Sequence, residues 1–83
     1  MSIDPSIKFL GQAVDASNYA SGILPVPCRR LHCNVSNTYR LWFEAGSYHD
    51  MYLYKGLEYE YRCVRISDTS SAVLAAGQVK IIF

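Results

Sequence analysis

Leu57-Glu58-Tyr59-Glu60-Tyr61-Arg62-Cys63-Val64-Arg65-Ile66 alternates polar and apolar side chains almost strictly, and its reading decides the fold. Successive side chains of a strand point to opposite faces. Glu58, Glu60 and Arg62 therefore share one side, and Tyr59, Tyr61 and Cys63 the other. A helix would scatter the same residues around its surface, and the aromatic and β-branched content favours a strand. The alternation breaks near the end, where Val64 and Ile66 fall on the side of the charges. This predicts a bulge, or a strand that passes from a half-solvated position to one covered on both faces.

The same two-residue period recurs on either side. Arg30 to Val35 places Leu31, Cys33 and Val35 inward, with Arg30, His32 and Asn34 outward. Ser36-Asn37 turns the chain. Thr38 to Glu44 then sets Tyr39, Leu41 and Phe43 against Arg40, Trp42 and Glu44. Ala45-Gly46-Ser47 reads as a hairpin loop, and Asp50 to Tyr54 returns with Met51 and Leu53 inward. Lys55-Gly56 suits a tight turn, since glycine supplies the positive φ such turns require. Asp68-Thr69-Ser70-Ser71 has loop chemistry. Ala72 to Ala76 is open between a helical turn and a strand, and Gln78 to Phe83 closes the chain as a strand. The fold class expected is all-β, a small antiparallel sandwich or barrel of five to seven strands.

Residues 1–27 differ from the rest. They hold all three prolines, and their only charges are Asp4, Lys8 and Asp15. Asp4-Pro5 fits the cap of a short helix with Ile7, Leu10 and Val14 on one stripe, while Gln12-Ala13-Val14 fits an edge strand equally well. Asn18 to Pro27 reads as extended loop. The expected organisation is an extended, subunit-bridging arm over residues 1–27 and a single β domain over residues 28–83.

Eighty-three residues make one domain, and a chain of that size buries only about 60–65% of the surface its unfolded form exposes. Small domains compensate with disulfides, metals or subunit contacts. Cys28, Cys33 and Cys63 are odd in number and lack a framework spacing, and the start of the chain does not resemble a signal peptide, so buried free thiols in a reducing cytosol are expected. No Cys-x-x-Cys or His-x-x-x-His occurs, and neither a metal nor any other cofactor is expected. Self-association is the remaining prop, and seven Tyr, three Phe and one Trp exceed what so small a core hides. The net charge of +1 is no footprint of a duplex nucleic-acid binder, and no apolar run approaches the ~18–20 residues of a membrane helix.

No catalytic constellation emerges. His32-Cys33 and His49-Asp50 are sequence neighbours that a strand turns to opposite faces, and no nucleophile elbow or phosphate-cradling loop is present. By contrast, Trp42, Tyr52 and Tyr54 fall opposite Leu41, Phe43, Met51 and Leu53, among Arg40, Asp50, Glu58, Glu60 and Arg62. Large aromatics ringed by mixed charge make a protein–protein contact, or the second side of a sandwich. They also suit the stacking of single-stranded bases, although Asp50, Glu58 and Glu60 would repel a phosphate backbone. Ile7, Phe9 and Leu10 of the arm complete the candidate interface.

Pro27-Cys28-Arg29-Arg30-Leu31-His32-Cys33-Asn34-Val35 resembles a segment of the very small virion proteins of tailed phages and phage-like gene transfer agents, of the head spike-base or decoration type. There a proline, a small residue and an arginine precede a short alternating strand. Gly11-Gln12-Ala13-Val14 with Asp15-Ala16-Ser17 is similar to their preceding strand and serine-rich loop. Tyr59 to Ile66, the loop Thr69 to Ala72 and the closing Val79 to Phe83 are similar to their last elements. Their middle is glycine-rich, whereas here it holds Trp42, Phe43, Tyr48, Tyr52 and Tyr54. The resemblance implies a non-enzymatic capsid decoration, or cement, subunit located in the virion and made in the host cytoplasm. Its implied partners are copies of itself, as a trimer or pentamer, the major capsid protein and a fibre protein, with no membrane and no nucleic acid. The alternatives are a phage tail or baseplate adaptor and a small single-stranded nucleic-acid-binding barrel.

Overall fold

The computed structural model describes residues 12–44 and 46–83. Among the described residues seven strands form in chain order: β1 (Ala13–Asp15), β2 (Arg30–Cys33), β3 (Asn37–Glu44), β4 (Ser47–Leu53), β5 (Glu58–Tyr59), β6 (Arg65–Ser67) and β7 (Val79–Ile82). They make two antiparallel sheets, one ordered β1-β7-β2-β5 and the other β4-β3-β6, packed as a sandwich. Alternation explains what lies between them. Leu31, Cys33, Val79 and Ile81 come from the four-stranded sheet, and Tyr39, Leu41, Leu53 and Ile66 from the three-stranded one. All eight are buried. Each large aliphatic side chain removed from water in this way contributes roughly 1.5–3 kcal/mol.

The alternating stretch at Leu57–Ile66 is two strands rather than one. Glu58–Tyr59 pairs with β2 in one sheet and Arg65–Ser67 with β3 in the other, so the chain crosses from sheet to sheet between them. Tyr59, Tyr61 and Cys63 still turn toward the core while Glu58, Glu60 and Arg62 stay exposed. The crossing accounts for the break in periodicity, because "inward" reverses direction on arrival at the opposite sheet and Ile66 becomes the buried residue. Residues 60–64 lack a regular ladder but are held on both sides. The Val64 N–H donates to the Trp42 carbonyl at 2.7 Å, the Leu24 N–H to the Val64 carbonyl at 3.0 Å, and the Cys28 N–H to the Cys63 carbonyl at 3.2 Å.

Those bonds also correct the expected arm. Of residues 1–27, the described part from Gln12 onward belongs to the sandwich: β1 pairs along β7, and Ala16 and Leu24 are buried in the common core. The edge-strand reading of Gln12-Ala13-Val14 is the one realised. The stretch read as extended loop contains a 3-10 turn at Ala20–Gly22 and follows another at Ala16–Asn18, the latter capped by the Asp15 carboxylate accepting from the Ser17 N–H at 2.9 Å. The helix proposed from Asp4 and the contact residues Ile7, Phe9 and Leu10 lie outside the described residues.

Two inward assignments also change. Val35 is exposed, because β2 ends at Cys33 and the Val35 carbonyl is turned in to accept from the Tyr39 hydroxyl and the Cys33 thiol. Phe43 sits where the β3–β4 register slips between Trp42 and Glu44. The bulge turns its ring to the surface, 6.0 Å from Tyr61 and 6.1 Å from His49.

Candidate functional site

The outer face of the three-stranded sheet carries the candidate site. On β3 and β4 the residues not facing the core are Thr38, Arg40 and Trp42, paired directly with Tyr52, Asp50 and Tyr48. Directly opposed side chains on one face of an antiparallel pair are within contact distance, and here they form a continuous ladder. The Trp42 and Tyr48 rings lie 4.7 Å apart, and Tyr54, just past β4, meets Tyr52 edge-on at 4.9 Å. Between the two aromatic pairs, Arg40 grips Asp50 with both carboxylate oxygens engaged, at 2.9 and 3.2 Å. The guanidinium also donates to Ser71 Oγ at 3.0 Å and stacks 3.9 Å over the Tyr48 ring. That fork holds the Asp50 carboxyl below its ordinary pKa.

Exposure separates this ladder from a core. Tyr48, Tyr52 and Tyr54 are 43%, 52% and 59% exposed, while Trp42 is half-buried. Trp42 donates from Nε1 to Ser67 Oγ at 3.4 Å and has the Arg65 guanidinium 4.4 Å over its ring. Beyond it the face ends in an apolar hollow of about 340 Å³ lined by Ile23, Leu24, Trp42, Gly46, Val64 and Arg65.

Of the described residues chosen from sequence, the fold brings Trp42, Arg40, Tyr52 and Tyr54 together and places Glu58, Glu60 and Arg62 elsewhere. Glu58 belongs to the opposite sheet, 3.9 Å from Arg30 and 4.0 Å from His32. Glu60 and Arg62 lie on the crossover and line a separate shallow basin with Arg29 and Arg30. Their shared parity was real, but it belonged to a stretch that leaves one sheet for the other. Two aromatic or cationic residues of this face are missing from the set chosen from sequence, Tyr48 on β4 and Arg65 on β6. Tyr48 falls before the strand expected from Asp50 to Tyr54, whereas β4 starts at Ser47, and Arg65 joins the face only through the crossing.

Arg65 is a clamp as well as a neighbour of Trp42. Its Nε donates to the Ser21 carbonyl at 2.8 Å and an Nη to the Ser71 carbonyl at 3.1 Å, so one fork ties two loops to β6. Arg65→Ala is expected to cost about 1–2 kcal/mol in urea unfolding, from two charge-assisted bonds and a stacked stem. Arg65→Lys should recover little of it, because a single ammonium cannot reach both carbonyls in the plane of the indole. Full recovery in the lysine variant would show that charge alone matters there.

For acid–base chemistry the arrangement offers little. His32 lies on the four-stranded sheet and His49 on the three-stranded one, opposite Leu41, so the two do not share a site. Among the described residues no three His, Cys, Asp or Glu side chains converge as metal ligands would. No described helix is long and apolar enough to cross a membrane. Comparisons with protein-family models, with curated proteins and with solved structures find no match for this chain.

Proposed function

We propose that this chain is a non-enzymatic structural subunit that associates with copies of itself and docks on a larger protein shell through the outer face of its three-stranded sheet. A head decoration or spike-base subunit of a phage-like particle is the form of this role that fits the sequence resemblance. The observation that carries the reading is the ladder of exposed aromatics, Tyr48, Tyr52 and Tyr54 with Trp42, on a rigid strand pair. Tyr and Trp bring large contact area with few rotatable bonds, so little side-chain entropy is lost when a partner covers them.

Electrostatics favour a protein partner over a phosphate backbone. Arg40 is already bonded to Asp50 and Ser71, and Arg65 to the Ser21 and Ser71 carbonyls, so the guanidiniums of this face are engaged within the chain. A nucleic-acid groove presents free cations beside its stacking rings. Many copies, each bound weakly to an assembled shell, would stabilise that shell by mass action, because binding to the native assembly alone shifts its equilibrium toward the assembled state.

The test pairs mass determination of the purified protein, alone and with empty capsids, with the double variant Tyr52→Ser, Tyr54→Ser. Both side chains are more than half exposed, so the double variant should keep its melting temperature within the few degrees that about 1 kcal/mol corresponds to. The wild type is expected to form a closed oligomer and to co-sediment with capsids, and the variant to do neither. A wild type that stays monomeric and unbound, or a variant that assembles as well as the wild type, overturns the proposal.

A further inference from the structure

Cys28 and Cys63 lie 35 positions apart in sequence, yet their sulfurs are 3.4 Å from each other in the core. The juxtaposition is fixed by backbone as well as side chains, since the Cys28 N–H donates to the Cys63 carbonyl at 3.2 Å. Both residues are fully buried, and the Cys28 thiol donates onward to the Tyr61 carbonyl at 3.1 Å. A disulfide bond is roughly 2.05 Å long, so from 3.4 Å the sulfurs need to approach by about 1.4 Å to bond. Cys33, by contrast, donates to the nearby Val35 carbonyl and lies on β2.

We infer that Cys28 and Cys63 form a latent cross-link site, a thiol pair that a small peroxide converts to a disulfide joining the 24–28 connector to the sheet crossing at residues 60–64. The inference is independent of the assembly reading, because the bond is intramolecular. In the first step the Cys28 thiolate attacks hydrogen peroxide, giving the Cys28 sulfenic acid and hydroxide. In the second the Cys63 sulfur attacks the sulfenic sulfur, the S–S bond forms, and water leaves. Overall two thiols lose two hydrogens and one peroxide becomes two waters. Cys28 is the first nucleophile, since the Cys63 thiol donates to its sulfur, lowering the Cys28 pKa and raising that of Cys63.

The cross-link would matter because residues 60–64 have no ladder of their own and are held largely by single bonds to Trp42, Leu24 and Cys28. Closing a long loop there constrains the unfolded chain, and a rise in melting temperature on the order of 10 °C is expected. The test treats the purified full chain with hydrogen peroxide, in buffer and in urea below the unfolding transition, then measures intact mass and maps peptides. The expected product has lost two hydrogens, carries a Cys28–Cys63 linked peptide, melts higher and reverts with dithiothreitol. Cys33→Ser should behave identically, and Cys28→Ser should form no intramolecular link. Thiols that remain reduced in both conditions, a product that only gains oxygen, or a link involving Cys33 would overturn the inference.

Discussion

Gly22→Ala is expected to lower stability by about 3 kcal/mol or more, a large fraction of what an 83-residue domain has. Gly22 has φ +71°, the left-handed region that costs a side-chain-bearing residue roughly 1–2 kcal/mol. The larger part is steric. A Cβ at this position would stand 1.9 Å from the Ile66 carbonyl oxygen, and that atom is backbone of β6 and has no rotamer to escape into. Relief requires moving the Ala20–Gly22 turn off the sheet, which would strip the Ile23–Arg65 bridge and the Arg65 bond to the Ser21 carbonyl. Gly46, Gly56 and Gly77 have similar φ values, +81°, +85° and +84°, with open space where a Cβ would go. Alanine there should cost only the dihedral strain, about 1 kcal/mol. Urea unfolding of the four variants separates the two contributions. Equal losses at Gly22 and Gly56 would show that the turn yields freely.

Nothing in the sequence distinguishes Gly22 from those turn glycines, and the reason marks where legibility ends. Period-two alternation reports which residues share a side of a strand, and it correctly placed Leu31, Cys33, Tyr39, Leu41 and Leu53 in the core. It does not report which sheet a strand joins. Leu57–Ile66 therefore looked like one long strand, and Glu58, Glu60 and Arg62 were grouped with a face they do not reach. The break at Val64 was the visible trace of the crossing, since a change of sheet lets Cys63 and Ile66 both point inward, and a bulge within one strand would leave the same trace in the sequence. The aromatic half of the site was readable because Trp42 and Tyr52 sit on the two strands of a short hairpin, where register follows from the turn. Contacts between distant segments were not. Arg65 over Trp42 depends on the sheet crossing that pairs β6 with β3, and Gly22 against Ile66 and Cys28 beside Cys63 depend on the path of the 20–28 connector, whose two prolines and one glycine say loop without saying where. The same limit made residues 12–27 look like an arm, because burial of Ala16 and Leu24 depends on tertiary packing that local composition does not record.

Alkali should unfold this protein through Tyr39. The ring is wholly buried, and its hydroxyl donates to the Val35 carbonyl, an acceptor that cannot stabilise a phenolate. Burial, with the Cys33 thiol and Tyr52 as lesser contributors, pushes the phenol up to about 12 from the ordinary 10.0. Below pH 10 the folded and unfolded chains both hold the neutral phenol, and its contribution is fully present. Between 10 and about 12 the unfolded chain ionises and the folded one does not, so the unfolded state binds fewer protons and stability falls as pH rises. The loss attributable to Tyr39 should be about 2 kcal/mol near pH 11.5, measured against a urea transition near pH 9. Tyr19 is also shifted upward by burial and adds a contribution of the same sign, so the wild-type slope alone does not isolate Tyr39. Tyr39→Phe does. It should cost about 1 kcal/mol near pH 9 by removing the bond to Val35, and it should flatten the decline above pH 10. A variant that falls as steeply as the wild type would move the alkaline transition to the other tyrosines and leave Tyr39 a packing residue only.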